Sequence, residues 1–164
     1  MEAVTVRTFS SADKEACLAV FDSNRPTFFS IAERPLFSAF LDQLPGPYLV
    51  LEDADGQLVA CGGYAVDAAE ASASFCWGMV QRSRHGQGLG RRLSLARLEG
   101  ILEDPRVRRV RLDTSQHTTG FYERLGFTVT DIQCDGYQPG MHRCEMEWLI
   151  NRAATDRGAP GEAS

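Results

Sequence analysis

Lysine is nearly missing from this chain: of its 17 basic residues only Lys14 is a lysine, and nothing in the sequence accounts for that bias. Basic residues are also outnumbered, by 22 acidic ones, for a net charge of −5. That balance argues against nucleic acid as the main partner, which needs a basic face, while a cationic amine would meet no repulsion. No apolar run approaches the length of a membrane span, which excludes a helical membrane protein. The first residues, Met1 to Arg7, lack a basic region followed by an apolar one. No signal peptide is visible, and a cytoplasmic address is expected. Cys17, Cys61, Cys76, Cys134 and Cys144 are an odd set without a Cys-x-x-Cys pair or a nearby histidine cluster. Neither a disulfide framework nor a zinc site can be read from them, and no metal is expected. Cys61 and Cys76 have no His or Asp motif attached, so both read as buried structural thiols.

What is present is the mixture of an ordinary globular protein, with 43 % hydrophobic and 24 % charged residues in 164. That length buries a core without disulfides or metals to staple it, and residues 1–150 are expected to form one domain. Residues 151–164 are rich in Ala and Gly, carry charges and show no apolar period. They are expected to be a frayed helix end and a disordered tail.

Val4 to Phe9 alternates as a first strand, and Ser10 or Ser11 offers an N-cap for a helix carrying Ala16, Cys17, Val20 and Phe21 and ending near Asn24. A second helix is expected from about Pro35, with Leu36, Phe37, Phe40, Leu41 and Leu44 on one apolar face and Pro45-Gly46-Pro47 as its stop. Tyr48 to Glu52 and Gln57 to Val66, joined by Asp53-Ala54-Asp55-Gly56, read as a hairpin. Gly62-Gly63 within it suggests a bulge or a close approach of another segment. Ser72 to Val80 completes a meander. Beyond it come a helix from Gly88 to about Glu103, a strand from Val107 to Thr114 and a short helix from His117 to Leu125 closed by Gly126. Phe127 to Gln133 and His142 to Ile150 then pair across a loop at Asp135 to Gly140.

The turn between Val80 and the long helix carries Gly86, Gly88 and Gly90, ringed by Arg82, Arg84, Arg91 and Arg92. Glycines let main chain approach a ligand, and the first helical turn offers unpaired N–H groups and partial positive charge. Such a turn binds phosphate. It is not a Walker loop, because Gly90 is followed by Arg91-Arg92 where Lys and Ser or Thr are needed. Nor is it a dinucleotide fingerprint, since Arg91 stands at the third glycine's place and the turn lies mid-chain.

A second block, Val110-Arg111-Leu112-Asp113-Thr114-Ser115 followed by Phe121-Tyr122-Glu123-Arg124-Leu125-Gly126-Phe127, comes later. Together the two blocks resemble the GCN5-related N-acetyltransferases, the GNAT family. Val80 with Gly86, Gly88 and Gly90 matches that family's acyl-CoA pyrophosphate loop, with His85 standing where Gln or Arg is usual. Tyr122 to Phe127 matches its Tyr-x-x-x-Gly-Phe signature. The resemblance spans roughly residues 3 to 150.

It implies a mixed α/β fold: a mostly antiparallel sheet with helices on both faces, in which the strands carrying Val80 and Val110 run parallel and splay apart at the acyl-CoA site. Acetyl-CoA would be the co-substrate and a small-molecule or peptide amine the acceptor, in a monomer or homodimer with no metal, nucleic acid or membrane partner. The implied cofactor contacts are Met79, Val80, His85, Gly86, Gln87, Gly88, Leu89, Gly90, Arg91 and Tyr122. Ser115, standing where the family often has an Asn that contacts the cofactor arm, and Gln116, the alternative for that contact, complete the implied cofactor residues. The main-chain N–H of Val80 would polarise the thioester carbonyl, and Tyr122 is placed as general acid for the departing thiolate, a role that suits a phenol protonated at neutral pH. The bland alternative for Tyr122 is packing beside Phe121 and Phe127.

The base is open. The strand before the loop carries no carboxylate; His117 is the best-placed imidazole, with Asp67, Glu70 and Asp113 as alternatives. Phe28, Phe29 and Glu33 fall on the acceptor side by resemblance, while on their own they read first as core phenylalanines and a helix-start charge, because aromatic residues are usually buried for packing alone. Two other readings stand beside the enzyme: a CoA-binding sensor or partner module without turnover, and a different phosphate-binding α/β protein such as a nucleotide binder.

Overall fold

The computed structural model describes residues 3–25 and 27–151; apart from Asn151, the expected tail lies outside the described residues. The elements follow in the order β1 (Thr5–Thr8), α1 (Lys14–Ser23), α2 (Arg34–Asp42), β2 (Tyr48–Glu52), β3 (Leu58–Asp67), β4 (Ser72–Val80), α3 (Leu89–Leu102), β5 (Arg109–Thr114), α4 (Thr119–Arg124), β6 (Thr128–Gln138) and β7 (Met141–Leu149). The seven strands form one sheet in the order β1-β2-β3-β4-β5-β7-β6, antiparallel except for the β4–β5 pair. This is the mixed, mostly antiparallel sheet expected.

Strand alternation sorts the core into two layers. Tyr48, Val50, Cys61 and Met79 face α1 and α2, where they bury Leu18, Phe21, Phe37 and Leu41. On the opposite face Leu51, Val59 and Ala60 pack on Leu89 and Leu93 of α3, and Ala73, Val110, Leu112 and Met146 pack on Leu98, Ile101 and Phe127. The apolar face expected on α2 is narrower than the sequence suggests. Leu36 is 62 % exposed while Phe37 is fully buried, because successive residues point about 100° apart and Leu36 falls at the rim of the stripe.

Gly62-Gly63 marks a close approach, and the bulge is on the partner strand. Between the pairs Cys61↔Met79 and Gly63↔Cys76 the extra residue belongs to β4, and Trp77 takes it up at φ 43°. A Cβ on Gly62 would fall 3.0 Å from the Gly78 Cα, so the glycines let the bulge close. The last hairpin is tighter than expected: β6 continues irregularly through Asp135 and Gly136 to Gln138, and the chain turns at Pro139-Gly140.

One feature of the sheet positions the site. β4 and β5 pair only at Ser72↔Arg109, Ala73↔Val110 and Ser74↔Arg111. Beyond Ser74 the bulged β4 leaves β5, which stays paired with β7 as far as Thr114↔Cys144. A gap opens between two parallel strands, with the glycine turn above its β4 wall.

Candidate active site

The β4 wall ends at Val80, whose main chain is turned into that gap. Antiparallel ladders alternate hydrogen-bonded pairs with pairs whose groups point outward. The Gln81 N–H donates to the Val59 carbonyl at 2.8 Å, which makes Val59 and Gln81 a bonded pair. The neighbouring pair Ala60↔Val80 is then an outward one, so the N–H and C=O of Val80 point away from β3. β5 has already departed, and no strand meets them. The Val80 carbonyl accepts from Asn24 Nδ2 and from His85 Nε2, both at 2.9 Å, so that histidine nitrogen carries a proton. Met79 is different: its pair with Cys61 is a bonded one and its side chain is buried, which leaves it no group for a ligand in the gap.

After β4 a tight turn at Arg82–Arg84 leads to Gly86 and Gly88 at φ 79° and 80°, the left-handed region where a side chain is strained. Nothing lies within 4 Å of a Cβ built on either, so the surface over the turn is open. The first helical bond of α3 runs from Arg92 N–H to Gly88 O, which leaves the N–H groups of Leu89, Gly90 and Arg91 without helical partners at the positive end of a helix. Gly90 serves packing instead. A Cβ there would fall 3.2 Å from Phe121 Cζ, so its absence lets α4 close against α3. Arg91 and Arg92 are exposed beside the turn, while Arg84 is tied to Asp53 at 3.2 Å and to Gln87 Oε1 at 2.8 Å.

α4 brings Tyr122 to the other side. Its ring is half-buried among Phe121, Phe127 and Phe75, at centroid distances of 5.0, 5.9 and 6.5 Å. Ser115, 5 % exposed, accepts the His117 N–H at 3.3 Å and starts the turn into α4. Gln116 is committed to the β6–β7 turn, donating to the Gly140 carbonyl at 2.7 Å and accepting from the His142 N–H at 2.9 Å.

Phe28 joins the two walls at the mouth of the gap. Its ring meets His85 edge-on at 5.2 Å and His117 at 6.2 Å, with the Arg82 guanidinium 5.5 Å above it. Phe29 lies deeper, stacked on Phe21 at 4.9 Å and Trp77 at 6.3 Å. Glu33 accepts the Ser30 N–H at 2.7 Å and so caps the turn before α2. The other carboxylates are also engaged: Asp67 accepts the N–H groups of Ala69 and Glu70, Glu70 faces Arg109 at 3.7 Å, and Asp113 pairs with Arg143 at 2.7 Å. A 470 Å³ cavity reaches from Ser74 and Phe75 of β4 across Arg111 and Asp113 of β5 and Glu145 and Glu147 of β7 to Thr130 of β6. Nearby, burial pushes the Tyr137 phenol up, reinforced by the Asp113 and Glu33 carboxylates. Among the described residues, no group of three or more His, Cys, Asp or Glu is placed to hold a metal ion. No described helix is long and apolar enough to cross a membrane.

Three residues of this region escaped sequence reasoning. Asn24 read only as a helix end, and Trp77 and Arg97 carried no reading of their own beyond the strand and the helix they lie in. Only Arg97 has a signal that could have found it: it stands four residues after Leu93 and four before Ile101, both buried on the sheet-facing side of α3.

No curated protein matches the chain in sequence. Solved structures do match in fold. A GNAT-family protein from Desulfovibrio desulfuricans superposes with a TM-score of 0.76 at 20 % identity, covering 91 % of this chain and all of its own. The ribosomal-protein-S18-alanine N-acetyltransferase of Escherichia coli gives 0.75 at 18 % identity over 99 % of both chains. An aminoglycoside 6'-N-acetyltransferase complexed with coenzyme A gives 0.72 at 13 % identity, covering 90 % of this chain and 97 % of that one. The acetyltransferase (GNAT) domain family matches residues 45–129, from the start of the meander through the glycine turn to the strand after Tyr122. Just over half of the chain lies in that match, and this chain belongs to the GNAT acetyltransferase family.

Proposed function

We propose that this protein moves an acetyl group from acetyl-CoA to a primary amine by direct attack, as a cytoplasmic enzyme. One observation carries the reading: the Val80 N–H points into the β4–β5 gap with no strand to receive it, beneath a turn of free helix-start N–H groups. A donor laid in that gap would pair with β4 as an added strand does, its pyrophosphate on Leu89, Gly90 and Arg91 and its carbonyl on Val80. Tyr122 would hydrogen-bond or protonate the leaving sulfur. The acceptor would enter past Phe28, His117 and Tyr137, where His117 is exposed and free to take a proton directly or through water. Thiol release across a panel of small amines, amino acids, polyamines and peptide N-termini tests this. Turnover on any of them supports it.

A CoA-binding module without turnover is the second reading. It is favoured by the lack of a carboxylate on β4 and by the engagement of Asp67, Glu70 and Asp113 elsewhere. Binding of acetyl-CoA with no thiol release on any amine would establish it.

A further inference from the structure

Arg97 lies on the sheet-facing side of α3 and is 1 % exposed. Its guanidinium stacks on Phe75, 3.8 Å from the ring centroid. It also lies against the β4 bulge: a Cβ on Gly78 would fall 2.7 and 2.8 Å from Nη1 and Nη2, and one on Gly62 3.2 Å from Nη1. Nη2 has only a long 3.4 Å contact with the Ser94 hydroxyl, and Nε and Nη1 have no hydrogen-bond partner.

An arginine keeps its charge when buried, and a buried cation without a counter-ion is costly. Stacking on an aromatic face offsets part of that cost. The remainder calls for an anion. Arg97 stands on the α3 side of β4, over Gly78 and Gly62. Gly78 lies two residues before Val80, and Phe75, on which the guanidinium stacks, meets the Tyr122 ring at 6.5 Å. The charge is felt on groups around β4: burial pushes the Cys76 thiol and the Tyr48 hydroxyl up, and Arg97 pulls both down.

We infer that Arg97 is the counter-ion of an anionic group at the acyl end of a CoA thioester bound in the gap. Two sources supply that chemistry: the CoA thiolate left after transfer, and the distal carboxylate of a dicarboxylic acyl group such as malonyl or succinyl. The inference rests on the reading of the gap as a CoA thioester site.

Isothermal titration of the full chain with matched ligand pairs tests it. One pair is CoA, near pH 8.5 where a free thiol is half ionised, against desulfo-CoA; the other is succinyl-CoA against butyryl-CoA. In at least one pair the anionic member binds about tenfold tighter or more in the wild type. Arg97→Met abolishes the preference and Arg97→Lys retains part of it. Preference within the thiol pair identifies product thiolate as the partner, and preference within the acyl pair identifies a dicarboxylic donor. Arg97→Met exchanges an unpaired charge for an apolar chain of similar length, so it melts no lower than wild type. Should it fail to fold, the wild-type pairs and Arg97→Lys decide. Equal binding within both pairs, or a preference that survives in folded Arg97→Met, overturns the inference. Failure of every CoA species to bind would instead overturn the reading of the gap.

Discussion

The side-chain amide of Asn24, at the end of α1, donates to the Val80 carbonyl at the end of β4 across 2.9 Å. A second bond, to the Val20 carbonyl at 2.9 Å, holds the amide in place, and Asn24 is 2 % exposed. α1 is thereby fixed to the residue whose N–H enters the gap. Asn24→Ala leaves the Val80 carbonyl with His85 alone and opens a small buried void. The expected loss of unfolding free energy is about 1–3 kcal/mol. Urea denaturation measures it, and titration with acetyl-CoA should show weaker binding. Unchanged affinity would confine Asn24 to a structural role.

The three glycines of the turn should respond differently to the same substitution. At Gly88, φ is 80° and a Cβ meets nothing, so Gly88→Val adds backbone strain of about 1–2 kcal/mol and places a branched side chain over the turn proposed to hold the pyrophosphate. At Gly90 the new side chain drives into Phe121, the neighbour of Tyr122. Gly88→Val should therefore raise the Kd for acetyl-CoA with kcat at saturation largely kept. Gly90→Val should lower kcat by shifting α4. Equal changes in both parameters for both variants would show that the turn and α4 are not separable.

Much of the fold and the frame of the site are legible in the sequence, for a physical reason. The alternating runs, the Asp55-Gly56 turn and the helical spacing of Leu89, Leu93, Ala96 and Gly100 are local patterns, and the glycine turn needs positive φ wherever the chain goes afterwards. What is not legible depends on long-range closure. The direction of the Val80 N–H follows from the register with Val59, which a bulge at Trp77 resets relative to the first half of β4. Gly62-Gly63 hints at the close approach, but nothing local places the extra residue on β4. Asn24 and Val80 are 56 residues apart, and Arg97 reads as a surface charge until Gly62 and Gly78 are seen to make room for it. Gln116, expected at the cofactor arm by resemblance, is held by Gly140 and His142, which arrive only with the last hairpin.

Acid stability offers a check remote from the site. Arg7 grips Asp13 through two bonds of 2.8 Å, and the Ser10 N–H adds a third at 2.8 Å. The Arg7 guanidinium holds the Asp13 carboxyl down, from the ordinary 3.8 to about 2, against burial pushing it up. A depressed carboxyl contributes stability that is fully present above its unfolded pKa and is lost as pH falls through the folded one. The difference in Tm between wild type and Asp13→Asn should hold steady down to about pH 5 and close between about pH 4 and pH 2. A difference that widens in that window would contradict the pairing.

Tyr122 decides between an enzyme's acid and a packed ring. Its aromatic body is fixed edge-on by Phe121 at 5.0 Å and Phe127 at 5.9 Å, and Tyr122→Phe preserves both contacts. The variant therefore removes one hydroxyl and nothing else, and its melting temperature should match the wild type within a degree or so, as expected for a change that leaves packing intact. If the hydroxyl bonds to or protonates the leaving sulfur, the loss falls on the transition state: kcat drops while the Kd for acetyl-CoA stays nearly constant. Loss of a general acid costs on the order of 10²-fold to 10⁴-fold. CoA thiolate is already a fair leaving group, so the low end of that range is expected. Steady-state kinetics with an amine found in the acceptor screen, beside a thermal melt, measures both quantities. A folded Tyr122→Phe with wild-type kcat would make Tyr122 a packing residue and pass the proton to Ser115 or to water, since Gln116 is already bound at both ends of its amide.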